Sequence, residues 1–233
     1  MKIALKNRKF LVVFIHIAVT RMKTLTVSRG AFIVVEGCDR CGKSTQCSKI
    51  MDRLKAEGTV AELLKFPDRT TITGKMIDSY LKMSEEMDDR AIHLLFSSNR
   101  WEALALMEKK LKSGVTLIAD RYAYSGVAYS TAKGLDMDWC KAPDSGLIKP
   151  DAVLYLNVSN DVAAQRSDYG GERYEKRELQ QRVHNIFLQL FDSSYWKSVN
   201  GDSNVEEVHE DIYKFVRTTI EESEYKPLCK LWT

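Results

Sequence analysis

Short runs of β-branched and other apolar residues alternate along the chain with segments in which apolar residues recur every three or four positions. The short runs have the length and composition of strands buried on both faces, whereas the longer segments have the period of amphipathic helices. These patterns predict strands at residues 31–36, 61–66, 115–120, 152–157 and, from a weaker pattern, 195–200, and the clearest helices at residues 44–57, 89–112, 179–191 and 205–221.

The alternation of these strands and helices predicts an α/β fold. Strands that are joined by helices form a parallel sheet, and helices cover both faces of that sheet, which gives a three-layer sandwich. Ligands of such sheets bind beyond the carboxyl ends of the strands. We therefore expect the chemistry of this protein just after Glu36, Phe66, Asp120 and Asn157.

Composition and charge narrow the class of protein. The 233 residues, of which 44% are hydrophobic, are enough to bury one sizeable core. Residues 1–35 contain seven Lys and Arg and no acid, which leaves 28 basic against 32 acidic residues in the rest of the chain. Because that balance gives no broad basic face, we expect no nucleic-acid partner. No apolar run approaches the roughly 18 to 20 residues that cross a bilayer, so we expect no membrane span.

The basic start of the chain predicts a leader or extension over residues 1–28, ahead of one domain over residues 29–233. The leader can be interpreted as a mitochondrial presequence, as a secretory signal around residues 11–19, or as residues upstream of a start at Met22. Five cysteines at irregular positions form no disulfide framework, which disfavours secretion. We expect a protein of the cytosol, with the nucleus as an alternative, or a mitochondrial one if the leader is a presequence.

A phosphate-binding motif follows the first predicted strand. The sequence GCDRCGKS fits G-x-x-x-x-G-K-S and lies between a buried strand and a helix, as this motif requires. Its glycines let backbone N–H groups face phosphate oxygens, and the helix amino end adds partial positive charge. Lys43 is expected to reach the β- and γ-phosphates of ATP, and Ser44 to bind Mg²⁺. The predicted ATP-binding residues are Gly37, Cys38, Asp39, Arg40, Cys41, Gly42, Lys43, Ser44 and Thr45.

Cys38 and Cys41 form a C-x-x-C pair inside this motif, which raises a redox or zinc interpretation. No second pair lies nearby and no histidine has ligand spacing, so the simpler interpretation is two small residues that a loop tolerates. A residual hypothesis is that Lys43 and the helix amino end lower the thiol pKa and make the protein sensitive to oxidation.

The other strand ends favour phosphoryl transfer between two anions. The N-K-x-D motif of GTPases and the L-S-G-G-Q motif of transporter cassettes do not occur in the sequence. Arginine can clamp crowded phosphates without losing its charge, and Phe96 and Arg100, four residues apart, share one helix face that suits a base. Structural alternatives are a core aromatic for Phe96, a solvated charge for Arg69, and an ion pair with Arg121 for Asp120.

These motifs belong to a longer series of matches, through which the chain resembles thymidylate kinases of the eukaryotic and poxviral type over nearly all of residues 29–232. The matching stretches are RGAFIVVEG, DRCGKSTQ, AELLKFPDRTT, GKMIDSYL, HLLFSSNRWE, GVTLIADRYAYSGVAYS, LDMDWCKAPDSGL, KPDAVLYLNV, GGERYEK and KPLCKLW. The resemblance implies a P-loop NTPase fold with a flexible lid, a nucleoside monophosphate kinase, and a homodimer.

The resemblance also implies roles for a catalytic group of residues. Arg40 would bridge the donor and transferring phosphates, and Asp39 would contact the 3′-hydroxyl of the acceptor sugar. Asp120 would lie near Mg²⁺ and Arg121 near the phosphates. The implied catalytic set is Asp39, Arg40, Lys43 and Arg121.

A second group would hold the acceptor nucleotide, again by resemblance. Arg69 would bind its phosphate, Phe96 would stack on thymine, and Arg100 would donate to the carbonyl edge of the base. Tyr174 and Tyr129 would crowd the sugar 2′ position and favour deoxyribose. The substrate-binding set also includes Phe66, Ser125 and Gly126, besides Asp39 and Arg121. A lid over residues 161–176, which includes Arg166 and Arg173, would cover ATP.

The implied reaction is direct in-line transfer of the γ-phosphoryl group from MgATP to dTMP, which gives ADP and dTDP for dTTP synthesis. An ionised acceptor oxygen needs little base catalysis, so positioning and charge neutralisation would supply the rate. Two alternatives stay open. One is a kinase of another monophosphate such as dUMP, since one methyl group is worth only about 1 to 3 kcal/mol. The other is a nucleotide-binding regulatory protein without turnover.

Overall fold

The computed structural model describes residues 28–159, 162 and 172–233. Five strands form one sheet in that part of the chain, namely β1 (Phe32–Glu36), β2 (Ala61–Lys65), β3 (Thr116–Asp120), β4 (Ala152–Asn157) and β5 (Trp196–Asn200). The strands are parallel and lie in the order β2-β3-β1-β4-β5. Each strand lies within a predicted segment, because apolar runs such as FIVVE are stable only when both faces are covered.

Helices cover both faces of the sheet. They are α1 (Lys43–Ala56), α2 (Ile72–Leu81), α3 (Asp89–Lys112), α4 (Ala123–Ala132), α5 (Met137–Lys141), α6 (Arg177–Leu190) and α7 (Val205–Ser223), with a 3₁₀ turn at Ala142–Asp144. On one face, Ile50 of α1 and Ile212 of α7 share a buried apolar cluster with side chains of β1. On the other face, Ile92 of α3 and Phe187 of α6 do the same. The predicted three-layer α/β sandwich is confirmed.

The sequence patterns give no bounds for three of these helices, α2, α4 and α5. Nine of the ten residues of α4 are buried, so its sequence AYSGVAYSTA has no polar face from which an amphipathic period could be detected. α5 contains only five residues, too few to show a period. α2 begins after Thr71, whose hydroxyl accepts a hydrogen bond from the N–H of Gly74 and so caps the helix.

The register of the sheet brings three strand ends together. Val35 of β1 pairs with Asp120 of β3, and Lys65 of β2 pairs with the same aspartate from the other side. Glu36 pairs with Tyr155 of β4. Because the strands are parallel, the loops that follow β1, β2 and β3 leave the sheet at one edge and enclose a common space.

Some predictions fall on residues outside the described ranges. The leader predicted over residues 1–28 lies outside them except for Ser28, and so does most of the lid predicted over residues 161–176, including Arg166. Among the helices that the structure does describe, none combines the length and the apolarity that crossing a membrane requires.

Candidate active site

A cavity of about 540 Å³ lies where the loops after β1, β2 and β3 meet. Its volume falls in the range of pockets that bind small ligands. It occupies the edge of the sheet at which the strand pattern predicts chemistry. Most of the predicted site residues line it, namely Asp39, Arg40, Gly42, Lys43, Ser44, Thr45, Phe66, Arg69, Phe96, Arg100, Asp120, Arg121, Ser125, Gly126, Tyr129 and Tyr174.

The loop between β1 and α1 has the backbone of a phosphate cradle. Gly37 and Gly42 have φ angles of 148° and 96°, which favour glycine, and Arg40 adopts a left-handed φ of 61°. A Cβ atom added to Gly37 would lie 2.8 Å from the carbonyl oxygen of Leu156, so a side chain has no room there. Lys43 is buried, and its Nζ donates to the carbonyl oxygen of Cys38 over 2.6 Å. These backbone angles are compatible with the phosphate-binding loop that the motif predicts.

The two cysteines of this loop are buried. Burial raises the pKa of the Cys38 thiol to about 12, the neighbouring Cys41 adds to that rise, and Lys43 opposes it with a smaller effect. The hypothesis that the loop lowers the pKa of its thiols is therefore wrong for Cys38, because the cost of desolvating a thiolate exceeds its attraction to Lys43.

Ser44 and Asp120 meet at the point predicted for Mg²⁺. The hydroxyl of Ser44 donates to Oδ2 of Asp120 over 2.6 Å, which joins the first turn of α1 to the end of β3. A hydroxyl and a carboxylate in contact supply oxygen ligands of the kind that Mg²⁺ binds together with phosphate oxygens and water. These two residues therefore fit the ion that a nucleotide triphosphate brings with it.

Asp39, in the loop after β1, forms an ion pair with Arg121, which directly follows β3. Gln180 fixes the aspartate from α6, because its Nε2 donates to Asp39 Oδ2 over 2.7 Å and its Oε1 accepts from the Asp39 N–H over 2.9 Å. Burial acts to raise the pKa of Asp39, but Arg121 and Lys43 outweigh it and lower the pKa below the ordinary 3.8. Asp39 is therefore an acceptor, which suits a sugar hydroxyl. No motif or spacing in the sequence points to Gln180.

Glu36 is a second residue of the site that is not among the predicted site residues. Its Oε1 accepts from the N–H groups of Tyr122 and Ser125 over 2.9 and 3.1 Å, and its Oε2 accepts from the Ser125 hydroxyl over 2.5 Å. The carboxylate thereby holds the start of α4 beside the cavity. The available signal was a glutamate at the end of an otherwise apolar buried strand, where a charge is costly without partners.

Arg69 and Phe66 lie on the β2 side of the cavity. Arg69 donates from Nη1 to Asp78 over 2.6 Å and from Nη2 to Glu172 over 2.9 Å. Phe66 packs against Tyr122 with ring centroids 5.6 Å apart. Arg69 is thus an oriented, partly exposed cation and not a freely solvated one.

Phe96 and Arg100 both reach the cavity from one face of α3, as their spacing predicts. Arg100 is buried and forms a bidentate ion pair with Asp144, from Nε to Oδ1 over 3.1 Å and from Nη2 to Oδ2 over 2.6 Å. A Cβ atom added to Gly126 would lie 2.8 Å from Nη2 of Arg100, so a side chain at this position of α4 would have to displace the guanidinium. Asp144 lies in one of the stretches that resemble the family, but no period or spacing in the sequence pairs it with Arg100.

Tyr129 and Tyr174 lie together in the cavity wall, with ring centroids 5.3 Å apart. Gln180 donates to the carbonyl oxygen of Tyr174 over 2.9 Å, and its side chain lies 3.4 Å from the hydroxyl of Tyr129. The same glutamine therefore links this aromatic pair to Asp39. The two rings form part of the cavity wall, and Gln180 connects them to the carboxylate that would hold a sugar.

The segment before α6 adds carboxylates to the site. Oε1 of Glu175 accepts from Nε of Arg40 over 2.8 Å. Arg173, predicted for the lid, instead donates to the carbonyl oxygen of Tyr80 over 2.8 Å and pairs with Glu86 over 2.8 Å. The structure places Arg173 against the end of α2, and a role for it over ATP stays a prediction.

Comparisons with known proteins agree with this geometry. The family model described as thymidylate kinase matches residues 35–212. A thymidylate kinase of Arabidopsis thaliana is 52% identical over 214 residues, which cover 91% of this chain and 81% of the relative. That of Homo sapiens is 47% identical over 211 residues, which cover 89% of this chain and 100% of the relative.

A solved structure gives the same result for the fold. The thymidylate kinase of Candida albicans is similar to this chain with a TM-score of 0.79 and 34% sequence identity, and the match covers 88% of this chain and 99% of the other. The identities, the coverage and the fold agree, and the chain belongs to the thymidylate kinase family.

Proposed function

We propose that this protein transfers the γ-phosphoryl group of MgATP to dTMP and produces ADP and dTDP. One observation carries the proposal. A single cavity is lined both by the phosphate loop, with Lys43, and by an aromatic ring and two arginines on the opposite elements, Phe96, Arg69 and Arg100. A triphosphate and a second nucleotide therefore have binding groups in one shared space.

The donor side would work by charge placement. Lys43 and the N–H groups of the loop would hold the triphosphate, and Arg40 would lie between the transferring and leaving groups. Ser44 and Asp120, in contact over 2.6 Å, would hold Mg²⁺, which supplies positive charge to the phosphate oxygens. No residue is needed as a base, since the acceptor phosphate is already ionised.

The acceptor side would work by orientation. Arg69 is held by Asp78 and Glu172 before any anion binds, so little freedom remains to be lost when a phosphate arrives. Asp39 would accept from the sugar hydroxyl, since the low pKa of its carboxyl keeps it ionised. In-line geometry would follow from the fixed positions of the two phosphates.

The test is a coupled assay of ADP formation by the purified full chain with MgATP and a panel of nucleoside monophosphates, with Lys43→Ala as the inactive control. Turnover with the highest kcat/KM for dTMP is expected. A higher kcat/KM for dUMP or another monophosphate would identify a different substrate. Nucleotide binding by calorimetry without turnover would indicate a regulatory protein.

The assembly and the compartment are part of the proposal. The family resemblance supports a homodimer, which sedimentation velocity tests, and a kinase domain over residues 29–233. We place the enzyme in the cytosol or nucleus, or in mitochondria if residues 1–28 act as a presequence. Mass spectrometry of the native amino terminus, together with cell fractionation, distinguishes these cases.

A further inference from the structure

His93 is a buried histidine on α3 that bonds to two other helices. Its Nδ1 lies 2.8 Å from the hydroxyl oxygen of Ser130 on α4, and its Nε2 lies 2.9 Å from the carbonyl oxygen of Cys140 on α5. Both ring nitrogens are therefore satisfied. The phosphoryl transfer described above uses neither His93 nor Ser130.

The partners of His93 determine where its proton lies. A carbonyl oxygen can only accept, so Nε2, which faces Cys140, must carry the hydrogen. Burial, together with the nearby guanidinium of Arg100, lowers the pKa of His93 below its ordinary 6.5, so the ring is neutral and Nδ1 holds a lone pair. Ser130 must then donate its only hydroxyl hydrogen to Nδ1. The serine oxygen keeps two lone pairs and has no hydrogen left to give.

Ser130 lines the same cavity as Phe96 and Arg100. It also follows Gly126 by one turn of α4, so the two residues share a helix face. Gly126 is the residue at which an added Cβ would lie 2.8 Å from Arg100. A guanidinium donor, a hydroxyl acceptor and an aromatic ring therefore line one cavity.

We propose that His93 is a positioning residue for base selection, because it makes the Ser130 hydroxyl an acceptor toward the cavity. Thymine and uracil carry an N–H donor at N3 beside the O4 carbonyl, which matches an acceptor next to an arginine. Cytosine carries an acceptor nitrogen without hydrogen at N3 and a donor amino group at position 4. It would therefore place an acceptor against the Ser130 acceptor and a donor against the Arg100 donor. The inference rests on the proposed function and specifies how that site chooses a pyrimidine.

A purely structural role for His93 predicts something different. A histidine that only ties α3 to α4 and α5 would, when replaced, change stability and the rates for all substrates alike. If His93 instead fixes the direction of the Ser130 hydroxyl, its replacement changes the ratio of kcat/KM for dUMP to that for dCMP. Neither substrate carries the methyl group of thymine, so the methyl group does not affect this ratio. Arg100 is present in all variants, so its contribution to the ratio is the same in each and cancels when variants are compared.

The first experiment compares two replacements at this position. His93→Phe keeps an aromatic ring but removes the acceptor, so the Ser130 hydroxyl can turn and donate to cytosine, and the dUMP to dCMP ratio is expected to fall about tenfold or more. His93→Asn, whose amide oxygen can replace Nδ1 as acceptor, is expected to keep the ratio within about threefold of wild type. In a Ser130→Ala background, His93→Phe should have no effect on the ratio. The inference is overturned if His93→Phe leaves the dUMP to dCMP ratio unchanged, or if it changes this ratio equally with and without Ser130.

Two measurements on the wild-type protein need no variant to fold. Nitrogen-15 NMR of His93 should show hydrogen on Nε2 and none on Nδ1. Calorimetry should show that the monophosphate of N3-methyl-deoxyuridine, in which a methyl group replaces the N3 hydrogen and O4 stays a carbonyl, binds about tenfold or more weakly than dUMP. The opposite tautomer or equal affinities overturn the inference. If wild type turns over no monophosphate, the proposed function fails, whereas the tautomer and the two affinities still decide this inference.

Discussion

Nε of Arg40 donates a hydrogen bond to Oε1 of Glu175 over 2.8 Å, which joins the phosphate loop to the segment before α6. Arg40 holds this position with a left-handed φ of 61°, a conformation that costs a residue with a side chain roughly 1 to 3 kcal/mol. Arg40 and its partner Glu175 both line the cavity. The arginine is thus placed in advance on the donor side of the site.

Arg40→Ala should lower kcat by about 10³-fold, because a cation in this position acts mainly on the charge that develops during transfer. Arg69→Ala should mainly raise the KM for dTMP, since Arg69 would bind the acceptor phosphate before and during the reaction alike. Steady-state kinetics with each substrate varied in turn distinguishes the two effects.

Arg217→Ala is the control for both variants. Arg217 lies on α7 in an exposed pair with Glu221, and its loss should leave both constants at wild-type values. Equal and small effects of Arg40→Ala and Arg69→Ala would contradict the roles assigned to them.

Asp144→Ala should destabilise the protein by about 3 kcal/mol and also raise the KM for dTMP. Both effects have one cause, since the buried guanidinium of Arg100 would lose its bidentate partner and its fixed orientation. Urea unfolding and kinetics measure the two effects. Glu221→Ala, which removes the exposed partner of Arg217, should cost less than about 0.5 kcal/mol. A loss of stability with unchanged KM would show that Asp144 does not orient Arg100 for substrate.

The parts of the site that follow from the sequence are those with a local signature. The phosphate loop is recognisable because glycines, Lys43 and Ser44 occur in a fixed order between a buried strand and a helix. Phe96 and Arg100 can be paired because a spacing of four residues puts them on one helix face. A parallel sheet then brings these separate segments to one edge, without any knowledge of side-chain contacts.

The parts that do not follow depend on contacts distant in sequence. Gln180 meets Asp39 across 141 residues, and Asp144 meets Arg100 across 44, with no pattern at either position that predicts the partner. α4 has no detectable period because it is buried all round. Polar residues in such places become predictable only when the fold shows which charges they must balance.

Asp39→Asn should change how stability depends on pH. The pKa of Asp39 is lower in the folded protein than its ordinary 3.8, so the folded state favours the carboxylate. That contribution is fully present above 3.8 and is lost as the pH falls through the lower folded pKa. The free energy of unfolding in urea should therefore be higher for wild type than for Asp39→Asn at neutral pH, and the difference should shrink below pH 3.8. A difference that grows on acidification would contradict the sign.

Native protein should react with iodoacetamide at Cys229 and spare the other four cysteines. Cys229 is the exposed thiol, whereas Cys38, Cys41, Cys47 and Cys140 are buried, and burial raises the pKa of Cys38 to about 12. Peptide mass spectrometry measures the labelling, and urea-denatured protein, in which all five should react, is the control. Mild peroxide should leave activity intact. Inactivation that ATP prevents would instead show a reactive thiol in the phosphate loop.

Tyr174→Ala should weaken the preference for deoxyribose. The ring centroids of Tyr174 and Tyr129 lie 5.3 Å apart in the cavity wall, which Asp39 also lines. The family resemblance implies that this pair crowds the 2′ position of the sugar. Removing one ring opens that space, and the ratio of kcat/KM for dUMP to that for UMP should fall about tenfold. Tyr225→Ala, at an exposed position near the end of the chain, should keep the wild-type ratio. Loss of Tyr174 also affects packing against Tyr80, so the ratio is more informative than the absolute rate. Equal losses of kcat/KM for both substrates would assign Tyr174 to packing alone.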